Sequence, residues 1–474
     1  MLFCSQEFLL FFLIVFGLYW AISHTRFRVY LLLAASFYFY SSWNQWLALI
    51  IVGSTIMDFL IAHALERSQR AGIRKALLLL SVSFNLGILA YFKYLNFFLD
   101  ALFSSLRLMG LETSIPSLEI ILPIGISFYT FEAISYTADI YLRRIKAEKS
   151  LANFMLFILF FPHLVAGPIV RARDFLPQVS LHKRWSWMRM QFGAELFLLG
   201  LIKKLAIADR MAIIADPIFA TPGAYGTVSV WLGVLAYSLQ IYCDFSGYSD
   251  MAIGIAHMFG FKLGVNFRMP YLARNISEFW HRWHISLSSW LRDYIFISLG
   301  GSRGTRWLTY RNLMITMALG GLWHGASWPF VFWGVLHAVL LIGHRILRDL
   351  CERSIWLVRG LESYAGNGLR MAATFLVVSL GWVLFRAPSM ASALEVYRRM
   401  FMAVEGAVVP VSVIAFATTL GCIALAHLFG ESGLWKRYSQ RLPGEALSLG
   451  YAGMALAAAL LAPASGKAFI YFQF

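Results

Sequence analysis

Apolar runs recur along the whole chain, separated by short connections that gather its arginines and lysines. The runs at Phe8–Ile22, Val29–Tyr40, Trp46–Ala64, Ala76–Phe92, Leu95–Met109, Leu151–Val165, Phe192–Ala208 and Val228–Cys243 predict transmembrane helices. So do Leu313–Gly325, Val331–Ile346, Met371–Phe385, Val411–Phe429 and Leu447–Leu461. Several fall short of the roughly 20 residues that a perpendicular span requires, which predicts re-entrant or half-buried segments among them. The expected architecture is all-α: a polytopic transmembrane helical protein of about 11 spans plus re-entrant or interfacial helices. It forms one multi-spanning membrane domain over residues 1–474.

Two regions break this pattern. Leu122–Asp139 is apolar but punctuated by Pro123, Gly125, Glu132 and Asp139. Lys262–Arg311 is the least lipid-like stretch in the central half of the chain, with eight Lys and Arg residues against only Glu278 and Asp293. Irregular polar backbone at membrane depth is tolerated where it lines a cavity or packs in protein. A functional site is therefore expected there. No internal repeat is visible, which weakens an inverted-repeat transporter reading.

Composition agrees with the pattern. Of 474 residues, 59% are apolar and 14% charged, more apolar side chain than one soluble core can bury. A net charge of +16 would suggest nucleic acid on a soluble surface, but here it sits in short loops, as the positive-inside bias dictates. No nucleic-acid partner is expected; the surrounding partners are membrane lipids. The loops Glu66–Lys75 and Arg143–Lys149 are expected in the cytoplasm together with Arg26 and Arg28, and the N-terminus outside. The opening segment lacks a basic n-region and reads as an uncleaved first span. Cys4, Cys243, Cys351 and Cys422 form no CxxC pair, so neither a disulfide framework nor a zinc knuckle is indicated.

Ionisable groups inside apolar runs call for a functional hypothesis. His324, in GLWHGASWPFVFWG, has no other ionisable residue around it from Asn312 to Leu336. A desolvated imidazole favours its neutral form, the form a general base needs; the alternative is a hydrogen-bonded packing histidine between tryptophans. His284 follows His281 by three residues and Glu278 precedes His281 by three, which would place all three on one helical face. No second cluster completes a ligand set at a recognisable spacing, so no metal is expected. The same stretch also reads as an interfacial amphipathic helix with Trp280, Trp283 and Trp290 at headgroup level. Asp244 and Asp250, in YCDFSGYSD, fall at the end of an apolar run and read first as a helix-terminal turn. There is no GxSxG elbow, GxxxxGK[ST] loop or HExxH, which leaves direct base-assisted transfer as the simplest chemistry.

Several stretches together resemble the membrane-bound O-acyltransferase (MBOAT) family, in its bacterial alginate O-acetylation branch. They are LPIGISFYTFEAISYTADIY from Leu122, FFPHLVAGPIVR from Phe160, IYCDFSGYSDMAIGIAHMFGF from Ile241, NFRMPYLARNISEFWHRWHISLSSWLRDYIFISLGG from Asn266 and GLWHGASWPFVFWG from Gly321. GWVLFRAPSMASA from Gly381 and the closing FIYFQF extend the likeness, which runs from near Leu122 onward. The WHxSLSxWLRDYIF block followed by the WHG block is the specific part. By position the resemblance makes His324 the membrane histidine that acts as general base, and His284 the second histidine. Arg292 and Asp293 match the RD pair; His163, Pro168 and Arg171 match polar positions of a structural or site-shaping segment. Trp323 and Asp244 fall within matched blocks and are expected to shape the site.

The resemblance implies an O-acetyltransferase with no bound cofactor. It would use acetyl-CoA as acyl donor on the cytoplasmic face and a polysaccharide hydroxyl as acceptor, in the bacterial inner (cytoplasmic) membrane. Alginate-like exopolysaccharide comes first as acceptor, with peptidoglycan or cellulose second and teichoic acid third. A periplasmic SGNH-type acetyltransferase partner is expected to complete delivery, since no hydrophilic stretch here is long enough for a separate domain. The competing reading is a polysaccharide or acyl-group transporter or flippase without chemistry, in which the two histidines relay protons or bind substrate. A third is a scaffold for a secretion complex.

Overall fold

The computed structural model describes the chain except for residues 44, 112–117, 166, 440, 463–468 and 471–474. It divides into two compact units, Met1–Phe197 with Ser249–Gly264, and Leu198–Tyr248 with Val265–Phe474. Both are helical; among the described residues the only extended pairing is a single bridge between Tyr225 and Ala407. The earlier helices are α1 (Gln6–Ala21), α2 (Thr25–Ser41), α3 (Gln45–Arg67), α4 (Ala71–Leu89), α5 (Leu95–Leu108), α6 (Ile126–Tyr141), α7 (Leu151–Leu159), α8 (Phe161–Leu164), α9 (Ala172–Val179) and α10 (Trp187–Ile202). Then come α11 (Asp209–Ala220), α12 (Thr227–Met258), α13 (Ile276–Arg282), α14 (Ile285–Leu291), α15 (Arg306–His324), α16 (Trp328–Cys351), α17 (Ile355–Glu362) and α18 (Tyr364–Arg386). The last are α19 (Met390–Phe401), α20 (Val413–Ser432), α21 (Leu434–Ser439) and α22 (Gly444–Leu461).

Seven helical segments among the described residues are long and apolar enough to cross a membrane, and Gln6–Ala21 and Leu151–Leu164 are shorter apolar helices. Their outward faces carry large apolar side chains, such as Leu9, Leu10 and Leu13 on α1. Such surface is stable only where lipid rather than water covers it. The chain is an all-α, multi-pass membrane protein.

Three expectations from hydropathy change. The runs Ala76–Phe92 and Leu95–Met109 are not separate spans: α4 and α5 join through a π turn at Ala90–Tyr94 into one helical stretch, Ala71–Leu108. Lys93, which falls between the two runs, lies inside that turn. Leu122–Asp139 is not irregular beyond its start, because α6 begins at Ile126 and buries almost every side chain. Several of its polar groups pair within the protein: Glu132 Oε1 accepts from the Val170 amide at 2.8 Å, and Ser81 bridges Thr137 and Asp58 at 3.0 and 2.6 Å. The run ending at Cys243 continues to Met258, so Tyr242–Asp250 is mid-helix and not a terminal turn.

Within the first unit, the two basic connections assigned to one side lie against each other. Arg143 donates to the Gln69 amide oxygen at 3.0 Å, and Arg74 donates to the carbonyls of Ile140 and Tyr141 at 3.0 and 2.7 Å. In the second unit the core is aromatic: Trp283, Trp333 and Trp382 are fully buried, with Trp382 4.9 Å from Trp283 and 5.8 Å from Trp333 between ring centres.

Candidate active site

α15 and α16 form a close helical hairpin because two glycines leave room for it. A side chain on Gly321 would collide with the Phe330 carbonyl, and one on Gly334 with the Met317 carbonyl. Removing the Cβ lets the two backbones approach, as at small-residue contacts between membrane helices. The hairpin turns at Gly325–Ser327, and His324 is the last residue of α15. Its imidazole is 3% exposed and lies 5.2 Å from the Trp333 ring, at 90°, and 5.0 Å from both Trp323 and Phe385.

His284 arrives from the irregular stretch that precedes this hairpin. α13 is capped at Asn275, whose side chain accepts from the Glu278 amide at 2.8 Å, and it ends at Arg282. Trp283 is then extended and His284 adopts φ +43°, ψ 55°, before α14 begins at Ile285. A left-handed conformation at a non-glycine residue costs about 1–3 kcal/mol and persists only where packing imposes it. Here it breaks the expected helical face: His281 is exposed and bonded to its own helix, while His284 is fully buried. The Glu278–His281–His284 array is therefore not a shared face. Nor do Trp280, Trp283 and Trp290 sit at an interface, since all three are buried in protein.

The strained turn sets the protonation of His284. Its Nδ1 lies 3.2 Å from the side-chain oxygen of Asn266, which also accepts from the backbone amide of Ser286 at 3.2 Å and the Ser286 hydroxyl at 2.9 Å. A backbone amide can only donate, so the Asn266 atom is the carbonyl oxygen and not the amine. It must then accept from Nδ1, which carries the proton, and Nε2 keeps the lone pair. Burial pushes the His284 imidazole down to about 3, so the ring is neutral. Phe245 packs edge-on at 4.6 Å.

The ring centres of His284 and His324 are 6.4 Å apart, and Trp323 contacts both, at 6.1 and 5.0 Å. Three of the expected site residues thus come together. Beside them a cavity of about 470 Å³ is bounded by α14 residues Ile285, Ser288 and Ser289 and α15 residues Thr316 and Met317. Arg292, Arg345, Arg348, His281 and His344 also line it, with no carboxylate among its lining residues. Neither buried histidine lines this cavity, although His281 and Ile285, on either side of His284 in the chain, do. Arg292 is largely exposed and bonds Asp293 at 2.9 Å.

The remaining candidates lie elsewhere. Asp244 is on α12 beside Phe245, but its carboxylate holds Lys204 at 2.8 Å and accepts the Ile470 amide at 2.7 Å. Lys204 also pairs with Asp209 at 2.7 Å. Of the closing FIYFQF motif only Phe469 and Ile470 are described, and Phe469 packs on Tyr248 at 4.2 Å. His163, buried Pro168 and Arg171 belong to the first unit. There His163 Nε2 lies 3.4 Å from Glu132, and Arg171 is buried ahead of α9. Asn266, Arg345, Arg348 and Lys204 were not singled out from sequence. Asn266 gave no signal, since its role depends on a turn that hydropathy does not encode. Arg345 and Arg348, near the end of an apolar run, look like ordinary positive-inside charge.

The chain belongs to the membrane-bound O-acyltransferase family, whose model matches residues 8–378. It is thus an enzyme, an O-acyltransferase, and an O-acetyltransferase by the names its relatives carry. It is 44% identical to the "Probable alginate O-acetylase AlgI" of Pseudomonas syringae pv. tomato, over 85% of this chain and 75% of that one. The protein of the same name from Azotobacter vinelandii is 45% identical, over 85% and 78%. The peptidoglycan O-acetyltransferase of Helicobacter pylori is 36% identical, over 78% and 73%.

Proposed function

We propose that this enzyme takes an acetyl group from acetyl-CoA on the cytoplasmic face of a bacterial inner membrane and supplies it for O-acetylation of an exported polysaccharide. The observation that carries this reading is the pair of buried histidines 6.4 Å apart, with Trp323 against both, next to a basic cavity without carboxylates. His324 is the general base. It takes the proton of the attacking hydroxyl as the new C–O bond forms at the thioester carbonyl, and the C–S bond breaks to release CoA. His284, neutral with its Nδ1 proton held by Asn266, is the second catalytic histidine and positions or relays that proton. Arg292, with Arg345 and Arg348, supplies positive charge for the polyanionic CoA moiety. Trp323 walls the reacting atoms, Asp293 orients Arg292, and Asp244, His163 and Arg171 shape the protein around them.

Alginate-like polysaccharide is the favoured acceptor, because the relatives at 44–45% identity carry alginate in their names and the one at 36% carries peptidoglycan. A periplasmic SGNH-type acetyltransferase would complete delivery. The test is transfer of labelled acetyl from acetyl-CoA by the purified protein, with and without such a partner. His324→Ala should lower CoA release by about 10²–10⁴-fold while polymer is still made and exported. If polymer disappears from the outside and CoA release by the unaltered protein is absent, the chain is a transporter and the proposal fails.

A further inference from the structure

The proposed donor cavity stops short of His324. On α15 it reaches Thr316 and Met317, and from Met317 to His324 is about two helical turns, or roughly 10 Å along the axis. Two indoles bridge the interval. Trp280, on α13, lines the cavity, and its ring lies 5.7 Å from that of Trp333 on α16, at 69°. Trp333 in turn stands at 90° to the His324 imidazole, 5.2 Å away. A thioester carried along this line from the cavity to His324 enters the space that the two side chains occupy.

The two indoles differ in what holds them. Trp333 is fully buried against His337 at 4.7 Å, Phe385 at 5.1 Å and Trp382 at 5.8 Å between ring centres. Its backbone is fixed as well, because the next residue, Gly334, lies against the Met317 carbonyl of α15. Trp280 packs on Phe279, His337 and Trp333, but it also borders the cavity of about 470 Å³. Its indole N–H has no hydrogen-bond partner among the described residues. Turning that ring toward the cavity breaks no hydrogen bond, so Trp280 is the member of the pair that can yield.

Where an acyl group meets a packed indole, volume decides. An acetyl group carries one methyl beyond the thioester carbonyl and needs only a slight displacement of Trp280. Each further methylene pushes more of the ring out of its aromatic contacts, and crowding a packed interior forces side chains off their preferred rotamers. We infer that Trp280 restricts the donor to a short acyl group, by filling the space that a longer chain would need on its way to His324. The inference rests on the reading of this cavity as the acetyl-CoA site and of His324 as the base. It adds a specificity-determining residue that neither of those roles requires.

The experiment compares acetyl-, propionyl- and butyryl-CoA as donors for the purified protein, with an alginate oligosaccharide as acceptor and kcat/KM for CoA release as the readout. The unaltered protein should favour acetyl over propionyl by about 10–200-fold, the discrimination that one methylene gives in a fitted pocket. Trp280→Ala should remove most of that preference while acetyl transfer persists. Trp280→Phe, which keeps an aromatic ring in the packing, should reduce it in part. Trp290→Phe changes a buried tryptophan on α14 that does not line the cavity, and should keep the parent's preference. Equal use of the three donors by the unaltered protein, or an unchanged preference in both Trp280 variants, overturns the inference. So does an equal relaxation in Trp290→Phe, which would trace the preference to packing in general. Failure of the underlying reading shows separately, with acetyl-CoA alone: no transfer by the unaltered protein, or full transfer by His324→Ala.

Discussion

Two buried histidines, one in each unit, show what burial alone does not decide. His163 and His284 are both almost fully buried and both packed among aromatic rings. His163 faces a carboxylate, with Glu132 3.4 Å from its Nε2, and the other Glu132 oxygen is tied to the Val170 amide. His284 faces a neutral amide, Asn266, on a strained backbone, and has a second histidine 6.4 Å away. A carboxylate opposite the ring fixes its place in the fold, whereas an amide oxygen that accepts from Nδ1 fixes the tautomer and leaves the ring neutral. The partner, more than the burial, separates a histidine suited to holding a fold from one suited to moving a proton.

The sharpest way to break this contrast is to remove each ring. His284→Ala should lower the rate of acetyl transfer by about 10²–10⁴-fold with thermal unfolding little changed, since the pocket is lined by aromatic groups that remain. If transfer survives, the amide-held histidine has no part in the chemistry. A second substitution makes one region resemble the other. Asn266→Asp places a carboxylate on Nδ1, which stabilises the imidazolium and raises its pKa. In the unaltered protein burial holds that ring down to about 3, so its protonation should impose no acid limb on the pH–rate profile between about pH 5 and 9. In Asn266→Asp an acid limb should move upward by roughly 1–3 pH units relative to the parent, with activity recovering as pH rises. A profile identical to the parent down to about pH 4 would mean that protonation of His284 does not limit transfer.

Much of this contrast was not legible in sequence. The isolation of His324 in an apolar run was visible, and so was the importance of Lys262–Arg311, because expensive ionisable groups stand out against hydropathy. Which histidine face meets which partner was not. The helical spacing of Glu278, His281 and His284 pointed to one surface, but the helix ends at Arg282 and the chain turns at His284, with Trp280 and Trp283 both buried. That turn creates the Asn266 contact. Hydropathy likewise placed a break near Lys93, where a π turn absorbs the polar residue without ending the helix. It also ended a span at Cys243, where Lys204 neutralises Asp244 from a distant part of the chain and lets α12 continue. At His284 and at Asp244 a long-range partner decided what local pattern alone could not.

The carboxylate-held histidine should respond in the opposite manner. His163→Leu leaves Glu132 buried beside the Val170 amide without its ring partner, and should cost about 1–3 kcal/mol of stability, read as a lower unfolding temperature in detergent. Transfer per folded molecule should be close to that of the parent. A large loss of rate at unchanged stability would instead place His163 in the chemistry and erase the distinction between the two regions.

The smallest effect lies at the rim of the proposed donor cavity, where charge is solvent-exposed and screened. Arg292 has an exposed guanidinium paired with Asp293, so its attraction for a CoA phosphate is worth roughly 1 kcal/mol or less. Arg292→Gln should raise KM for acetyl-CoA by about fivefold at most and leave kcat unchanged, because the contact is equally present in ground and transition states. Raising ionic strength should shrink the difference between parent and variant, as screening removes what the substitution removes. A fall in kcat at constant KM would place Arg292 against the reacting atoms. The basic cavity would then belong to the chemistry of the two histidines and would not merely feed it.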